Sequence, residues 1–206
     1  MRRRLLPLLA LLLAACAGPD AVAAHAAGAR PDTLAAADSS IHDGRDRQLD
    51  SALAAFRAPL PRVAALQGGE ESRDALVGRF VRALAAADTA DLRAMMVTRA
   101  EFAWLYYPGS AHARRPARQE AELVWFLGLQ ASGKGLSRAL ARFGAGPVEL
   151  LGHQCAPTPV REGLNLIWHD CVLRLRAGTG TREIRLFGAV LERGGAFKVL
   201  SFANDL

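Results

Sequence analysis

Two cysteines in the last third of the chain, each preceded at two residues' distance by a histidine, are the residues best suited to chemistry. They are Cys155 and Cys171, with His153 and His169. The set can form a disulfide, a Cys2His2 zinc site or two free thiols. Zinc sites of that kind use spacings of two to four residues on turns, and a His-x-Cys spacing on flat strands suits a tetrahedron poorly. We therefore favour a disulfide, which closes a loop of about 15 residues and contributes on the order of 3 kcal/mol.

Acid–base chemistry is the second type that the residues suggest. His169 is followed by Asp170, but neighbours on a strand point to opposite faces, so these two side chains do not naturally meet. Glu101 lies close to Tyr106 and Tyr107 on a short aromatic segment, for which we predict core packing. We assign no catalytic residue and no metal ligand. The spacings of a phosphate-binding loop, a nucleophile elbow and a zinc-protease helix are missing.

The N-terminus has the three-part layout of a secretory signal. Residues 1–4 are basic, residues 5–13 are apolar apart from Pro7, and small residues lead to Cys16. The apolar run is much shorter than the ~20 residues that a membrane-spanning helix needs. The alternative is an ordinary signal peptide, in which Cys16 has no special role.

The sequence Leu13-Ala14-Ala15-Cys16 resembles the lipobox of bacterial lipoproteins. The resemblance implies that residues 1–15 are removed and that Cys16 is acylated. Two or three acyl chains anchor a protein stably, whereas one binds marginally. In lipoproteins of this kind an aspartate directly after the cysteine favours retention in the inner membrane. Here that position is Ala17, so the resemblance implies the outer membrane in a cell that has one. We expect a lipid-anchored domain outside the cytoplasm, in a compartment that permits a disulfide.

Composition limits the other classes of function. The 206 residues carry a formal net charge of +6, of which three charges belong to residues 2–4. The processed chain therefore carries 6 − 3 = +3, which is too weak for nucleic-acid binding without a clustered basic face. The small cluster of Arg114, Arg115 and Arg118 is better read as a solvated loop than as a site for anionic lipid. Nothing points to a cofactor.

Four segments follow from the patterning. They are a signal peptide at residues 1–15, a flexible tether at 16–44, a short helix and linker at 45–71, and a globular domain at 72–206. The tether is rich in small residues and has no sustained apolar period. In the third segment Leu49, Leu53 and Phe56 recur at helical spacing from about Asp46, and Pro59 ends that helix.

The domain reads as helices followed by strands. Ser72 is a fair N-cap, Thr98 with Glu101 looks like a capping box, and Ser132-Gly133 predicts a break between two later helices. Strands are predicted at residues 148–155, 164–176, 182–192 and 197–203, joined by short turns that demand antiparallel neighbours. The predicted class is α+β, with N-terminal helices packed on a C-terminal four-stranded antiparallel sheet.

This element order, with closing strands at residues 184–190 and 197–203, resembles the nuclear transport factor 2-like superfamily. The resemblance implies a cone-like fold in which helices lie in the concave face of a bent sheet and a pocket opens between them. Residues 98–116 depart from the family's pattern, because they read as helix and loop where the family has a strand pair. The side chains we expect at such a pocket are Trp104, Tyr106, Tyr107, Trp125, Trp168 and His169.

Three functions remain open at this point. The first is a membrane-anchored envelope lipoprotein whose domain binds a small apolar ligand or a protein partner. The second is an isomerase or hydrolase that uses a cone-shaped pocket, which would require a buried carboxylate or histidine in a large cavity. The third is a structural envelope protein with an exposed apolar surface.

Overall fold

A computed structural model describes the backbone of residues 31–204 and 206, and side chains from Asp43 onward. One compact unit spans residues 42–206; residues 31–41 belong to a separate N-terminal unit in which only helical backbone is described. The signal peptide, Cys16 and residues 17–30 of the predicted tether lie outside the described residues.

The helices precede the strands, as predicted. Five α-helices run in the order α1 Pro31–Arg57, α2 Arg73–Ala85, α3 Thr89–Ala94, α4 Arg99–Glu101 and α5 Ala121–Phe143. Between α4 and α5 the chain makes a π-helical turn, Phe102–Tyr106, and two short 3-10 turns, Tyr107–Gly109 and Ala111–Ala113. Helix α1 begins earlier than the predicted start at Asp46 and covers residues 31–44, where we expected tether. That stretch is rich in alanine, the residue with the highest helix propensity.

The predicted helix starts are confirmed by their hydrogen bonds. The Ser72 hydroxyl accepts from the Ala75 N–H. Asp88 caps α3 in the same way, since its carboxylate accepts from the N–H groups of Ala90 and Asp91. Thr98 and Glu101 form the predicted capping box. These caps satisfy backbone donors that a helix leaves unpaired at its first turn.

The strands form two antiparallel sheets. They are β1 Val148–Gln154, β2 Val160–Glu162, β3 Asn165–His169, β4 Val172–Ala177, β5 Gly180–Ile184, β6 Ala189–Arg193 and β7 Ala196–Ser201. One sheet has the order β1-β4-β5, and the other has the order β2-β3-β6-β7. The α+β class with antiparallel strands after the helices is confirmed.

The single four-stranded sheet of the prediction is divided because its two long strands bend. The strand predicted at residues 164–176 breaks at Asp170, which has a positive φ of 54°, and continues in the other sheet. The strand predicted at 182–192 divides in the same way at residues 185–188. The short strand β2 pairs with β3 and was not predicted.

Helix α5 is continuous through Ser132-Gly133, so the predicted break there is wrong. The Ser132 hydroxyl turns inward and accepts from the Phe202 N–H at 3.1 Å. Gly135 lies against the carbonyl of Phe202, so close that an added Cβ would fall 1.9 Å from that oxygen. The small residues of this turn therefore serve close helix–sheet packing instead of ending the helix.

Candidate functional site

An apolar cavity of about 270 Å³ lies beneath the first half of α5. The opposite walls come from the π-helical turn, from residues 96–97 after α3 and from the end of β7. Its apolar lining includes Met96, Phe102, Tyr106, Val124, Trp125 and Leu200. A small concave site with a mostly apolar lining is the usual form of a small-molecule site.

Aromatic packing holds the walls of this cavity in place. The ring of Phe102 is 5.3 Å from that of Trp125 and 5.6 Å from that of Tyr106, centre to centre. Tilted pairs at such distances attract beyond their burial alone. The opposite wall is fixed by the backbone, since the Val97 N–H donates to the Val199 carbonyl at 3.0 Å. The cavity is therefore preformed by a buried aromatic cluster and a strand edge.

Three polar side chains, His112, Gln119 and Ser201, interrupt the apolar lining. The position of Gln119 is fixed because its carbonyl accepts from the Tyr107 hydroxyl and its N–H donates to the His112 carbonyl at 2.9 Å. Tyr106 is nine-tenths buried, and burial, together with the nearby Glu162 carboxylate, raises the pKa of its hydroxyl. No carboxylate of the described residues lines the cavity.

The helix over the cavity has an unusual outer side. Leu123, Phe126, Leu127 and Leu129 are 49, 53, 55 and 46% exposed. Leu127 and Leu129 also line the cavity, so its wall and the exposed apolar surface are continuous. Single exposed apolar residues need no explanation, but four large ones on two consecutive turns form a patch.

Of the six side chains predicted at a pocket, the structure brings two, Tyr106 and Trp125, to this cavity. Trp104 lies instead next to the guanidinium groups of Arg57 and Arg62, 4.4 and 5.4 Å from its ring centre. Tyr107 is buried next to the cavity, and its hydroxyl donates to the backbone carbonyl of Gln119.

The other two lie elsewhere. The Trp168 Nε1–H donates to Glu192 at 2.8 Å, and the guanidinium of Arg73 stacks 3.7 Å from the Trp168 ring centre. His169 is exposed at the end of β3, and its carbonyl accepts from the Ala156 N–H. These residues therefore do not share a site with Tyr106.

The predicted disulfide is confirmed: Cys155 and Cys171 are bonded, and both are buried. They extend the antiparallel register of β1 and β4, in which Gln154 faces Val172. The bond thus links β1 to the point where the chain passes from β3 to β4. With both sulfurs in a disulfide, the alternative zinc site of these cysteines is excluded.

A larger and more open cavity, of about 730 Å³, lies beside the disulfide on the β1-β4-β5 sheet. Its lining is mixed in charge, and its charged groups pair in part, with Arg185 and Asp170 3.2 Å apart. His153 lines it, and burial of the imidazole lowers the pKa of His153, against the opposing effect of Asp74 at 3.6 Å. That distance is too long for a hydrogen bond, so the pair does not form a base with an oriented imidazole.

Glu101, the acid that could have served a cavity, is instead part of a buried ion pair. Its Oε2 lies 2.9 Å from Lys198 Nζ, and each of the two residues is 1% exposed. Glu101 also accepts from the N–H groups of Gln67 and Thr98, while Lys198 donates to the Gln67 carbonyl. Burial alone would raise the pKa of Glu101, but these hydrogen bonds and the Lys198 charge lower it. The pair is a fully satisfied structural link between the linker, α4 and β7.

The basic cluster lies on an exposed loop, as expected, but two of its three members pair with aspartates of α1, which we did not predict. Arg115 pairs with Asp43 and Asp46 of α1, and Arg118 with Asp46 and with Asp50, the last at 2.5 Å. Arg114 is exposed and donates to the Gly109 carbonyl at 2.7 Å. The cluster attaches the C-terminal half of α1 to the segment before α5.

Sequence reasoning missed Lys198 and the polar residues of the cavity. A lysine between Phe197 and Val199 in an apolar strand was a visible signal for a buried partner. His112 and Gln119 gave no comparable signal, because they lie on irregular backbone.

Within the described part of the chain, no cluster of three or more histidine, cysteine, aspartate or glutamate residues is placed to hold a metal ion. None of the helices described there is both long enough and apolar enough to cross a membrane. Comparisons of the chain with protein-family models, with curated proteins and with solved structures found no match.

Proposed function

We propose that this chain is a lipid-anchored envelope protein whose domain binds a small, elongated apolar ligand beneath α5. The observation that carries the proposal is the apolar cavity between α5, the π-helical turn and β7. Anchoring is proposed from the signal layout and lipobox of residues 1–16 alone. The Cys155–Cys171 disulfide supports export, because such bonds persist in oxidising compartments.

The size and lining of the cavity define the ligand class. Its volume of about 270 Å³ lies just below the range of small-molecule sites, which begins at about 300 Å³, so the ligand must be small. At roughly 30 Å³ for a unit the size of water, it accommodates a chain of about nine methylene-sized units. Burying such a chain contributes about 0.8 kcal/mol per methylene. The polar side chains of His112, Gln119 and Ser201 offer hydrogen bonds to a single polar end group.

Binding fits this lining better than catalysis does. An isomerase or hydrolase needs an acid and a base within hydrogen-bond reach of one reacting centre. Tyr106 and His112 are the ionisable side chains among the described lining residues, and the pKa of Tyr106 is raised further from neutrality. Glu101, the nearest candidate acid in the sequence, is held by Lys198.

Titration calorimetry of the processed chain with 1-decanol and with decanoate tests the cavity. We expect saturable binding with a negative heat-capacity change, the marker of buried apolar surface. Gly128 lines the cavity and has open space at its Cβ position. Gly128→Leu should therefore fill the cavity and weaken binding at least tenfold.

Gly133→Leu is the matched control, because Gly133 lies on the same helix, is exposed and also has open space at Cβ. It should bind like the unmodified protein. Equal binding by both variants would remove the cavity as the site, and no binding of either compound to the unmodified protein would contradict the proposal.

Intact-mass measurement of the protein purified from membranes tests the anchor separately. We expect a chain that begins at Cys16 and carries added acyl mass. A chain of unmodified mass would show that the lipobox resemblance is misleading, without bearing on the cavity.

A further inference from the structure

The outward side of α5 combines apolar and cationic residues in a fixed order. The first turns expose Leu123, Phe126 and Leu127, and the later turns carry Lys134, Arg138 and Arg142 at intervals of four residues. Residues at these spacings share one side of a helix. We call this surface, made of those six residues, the α5 outer face.

Its positive charge is not balanced from within the helix. The only acidic residue of α5 is Glu122, which pairs with Arg99 at 2.9 Å. The cluster of Arg115 and Arg118 is different, because both guanidinium groups pair with aspartates of α1. Among the described residues, none of the three cations of the outer face takes part in an ion pair.

We propose that the α5 outer face docks on the surface of an anionic lipid bilayer. A helix with an apolar region and basic residues on one side binds bilayers by burying the apolar part at the boundary between headgroups and acyl chains. Basic residues next to it then meet the negative surface potential. Arg138 donates to the Asn204 carbonyl at 2.6 Å, but that oxygen carries no net charge. Charge complementarity thus distinguishes the bilayer from an apolar protein surface, which would leave the three cations without an anionic partner.

The docked position also gives the cavity a source of ligand. Leu127 and Leu129 are exposed on one side and line the cavity on the other. A lipid chain in the bilayer would therefore reach the cavity along apolar surface. This last step rests on the proposed ligand binding, whereas the docking itself does not.

Sedimentation with vesicles tests docking on the processed chain carrying Cys16→Ser, which has no acyl group. We expect binding to vesicles of phosphatidylcholine with 30% phosphatidylglycerol, weaker binding at 0.5 M salt, and little binding to phosphatidylcholine alone. The double variant Lys134→Gln/Arg142→Gln should bind roughly thirtyfold more weakly. Phe126→Ser should also weaken binding, since it removes an inserted side chain.

Arg174→Gln/Arg182→Gln is the matched control, because it removes the same charge from exposed positions on β4 and β5. It should bind like the Cys16→Ser chain. If both double variants lost binding equally, binding would depend on net charge and not on the α5 outer face, which would overturn the proposal. Absence of binding to anionic vesicles would also overturn it. If sedimentation equilibrium showed a dimer that Phe126→Ser dissociates, the α5 outer face would be the contact between two copies of the chain. That result would overturn the proposal as well. Calorimetry with 1-decanol in the absence of vesicles keeps ligand binding and docking distinguishable.

Discussion

Helices α2 and α5 have similar apolar periodicity, but the apolar side of α2 is buried whereas much of the apolar surface of α5 is exposed. The apolar residues of α2, from Leu76 to Leu84, are at most 5% exposed, and they pack under the sheets with Phe187 and Phe202. The first half of α5 instead leaves Leu123, Phe126, Leu127 and Leu129 about half exposed and has a cavity beneath it. The first half is held by Ala121 and by the packing of Trp125 on Phe102, whereas the second half is packed more closely, through Ser132, Gly135 and Ala139.

This difference separates stability from function within one domain. A helix buried along its whole apolar side has no surface left for a ligand. A helix that is fixed at one end and apolar on both sides at the other can contact a ligand within and a surface outside. Functional regions are drawn from the less stable parts of a fold, and the first half of α5 has the features of such a region.

Replacing equivalent phenylalanines in the two helices should give the largest contrast. Phe80 is fully buried, with its ring 5.4 Å from that of Phe187 and 5.6 Å from that of Phe202. Phe80→Ala should lower the free energy of unfolding by about 3–5 kcal/mol. Phe126→Ala should lower it by less than about 1 kcal/mol, because half of that side chain is already in water. Urea unfolding measures both, and similar losses would show that α5 is as tightly packed as α2.

The features that the sequence predicted well depend on residues close together in the chain. The caps at Ser72 and Thr98 depend on residues three positions apart, and the chain order of helices and strands depends on the apolar period. The disulfide could be predicted because the predicted strands, the loop between them and the expected export of the chain all favoured the same bond. The aromatic residues at the cavity were predicted in part, since Tyr106 and Trp125 lie there and Trp168 does not.

What the sequence did not predict depends on distant partners. The bend at Asp170 separates strands whose neighbours, β1 and β6, lie far apart in the chain. The pairing of Glu101 with Lys198 joins residues 97 positions apart. Gly133 looked like a break because glycine lowers helix propensity, but the contact of Gly135 with Phe202 requires the helix to continue.

The ion pair of Glu101 and Lys198 gives the second prediction, because it joins α4 to β7, the strand whose end lies opposite α5 at the cavity. Lys198→Met should destabilise the domain by about 3–5 kcal/mol, since it leaves a buried carboxylate without its cation. In the folded state the pKa of Glu101 is lowered, so its contribution is present at neutral pH. The contribution should be lost as the pH falls below the ordinary value of 4.5 and through the lowered pKa.

Urea unfolding between pH 3 and 7 measures this dependence. Glu101→Gln is the control: it keeps the shape of the side chain but removes the titrating group, so its stability should fall less steeply with acid. An acid dependence that is identical in the two proteins would mean that Glu101 does not govern it.

The smallest expected effect compares two glycines of α5, two residues apart. Gly135→Ala should cost about 1–3 kcal/mol, because the new Cβ would meet the Phe202 carbonyl and push the helix from β7. Gly133→Ala should stabilise by about 0.5–1 kcal/mol, because its Cβ enters open space and alanine favours the helix. Thermal unfolding of both variants measures the difference. A stabilising Gly135→Ala would show that the second half of α5 is not fixed to the sheet, and the contrast between a closely packed half and a half-exposed half of this helix would then be lost.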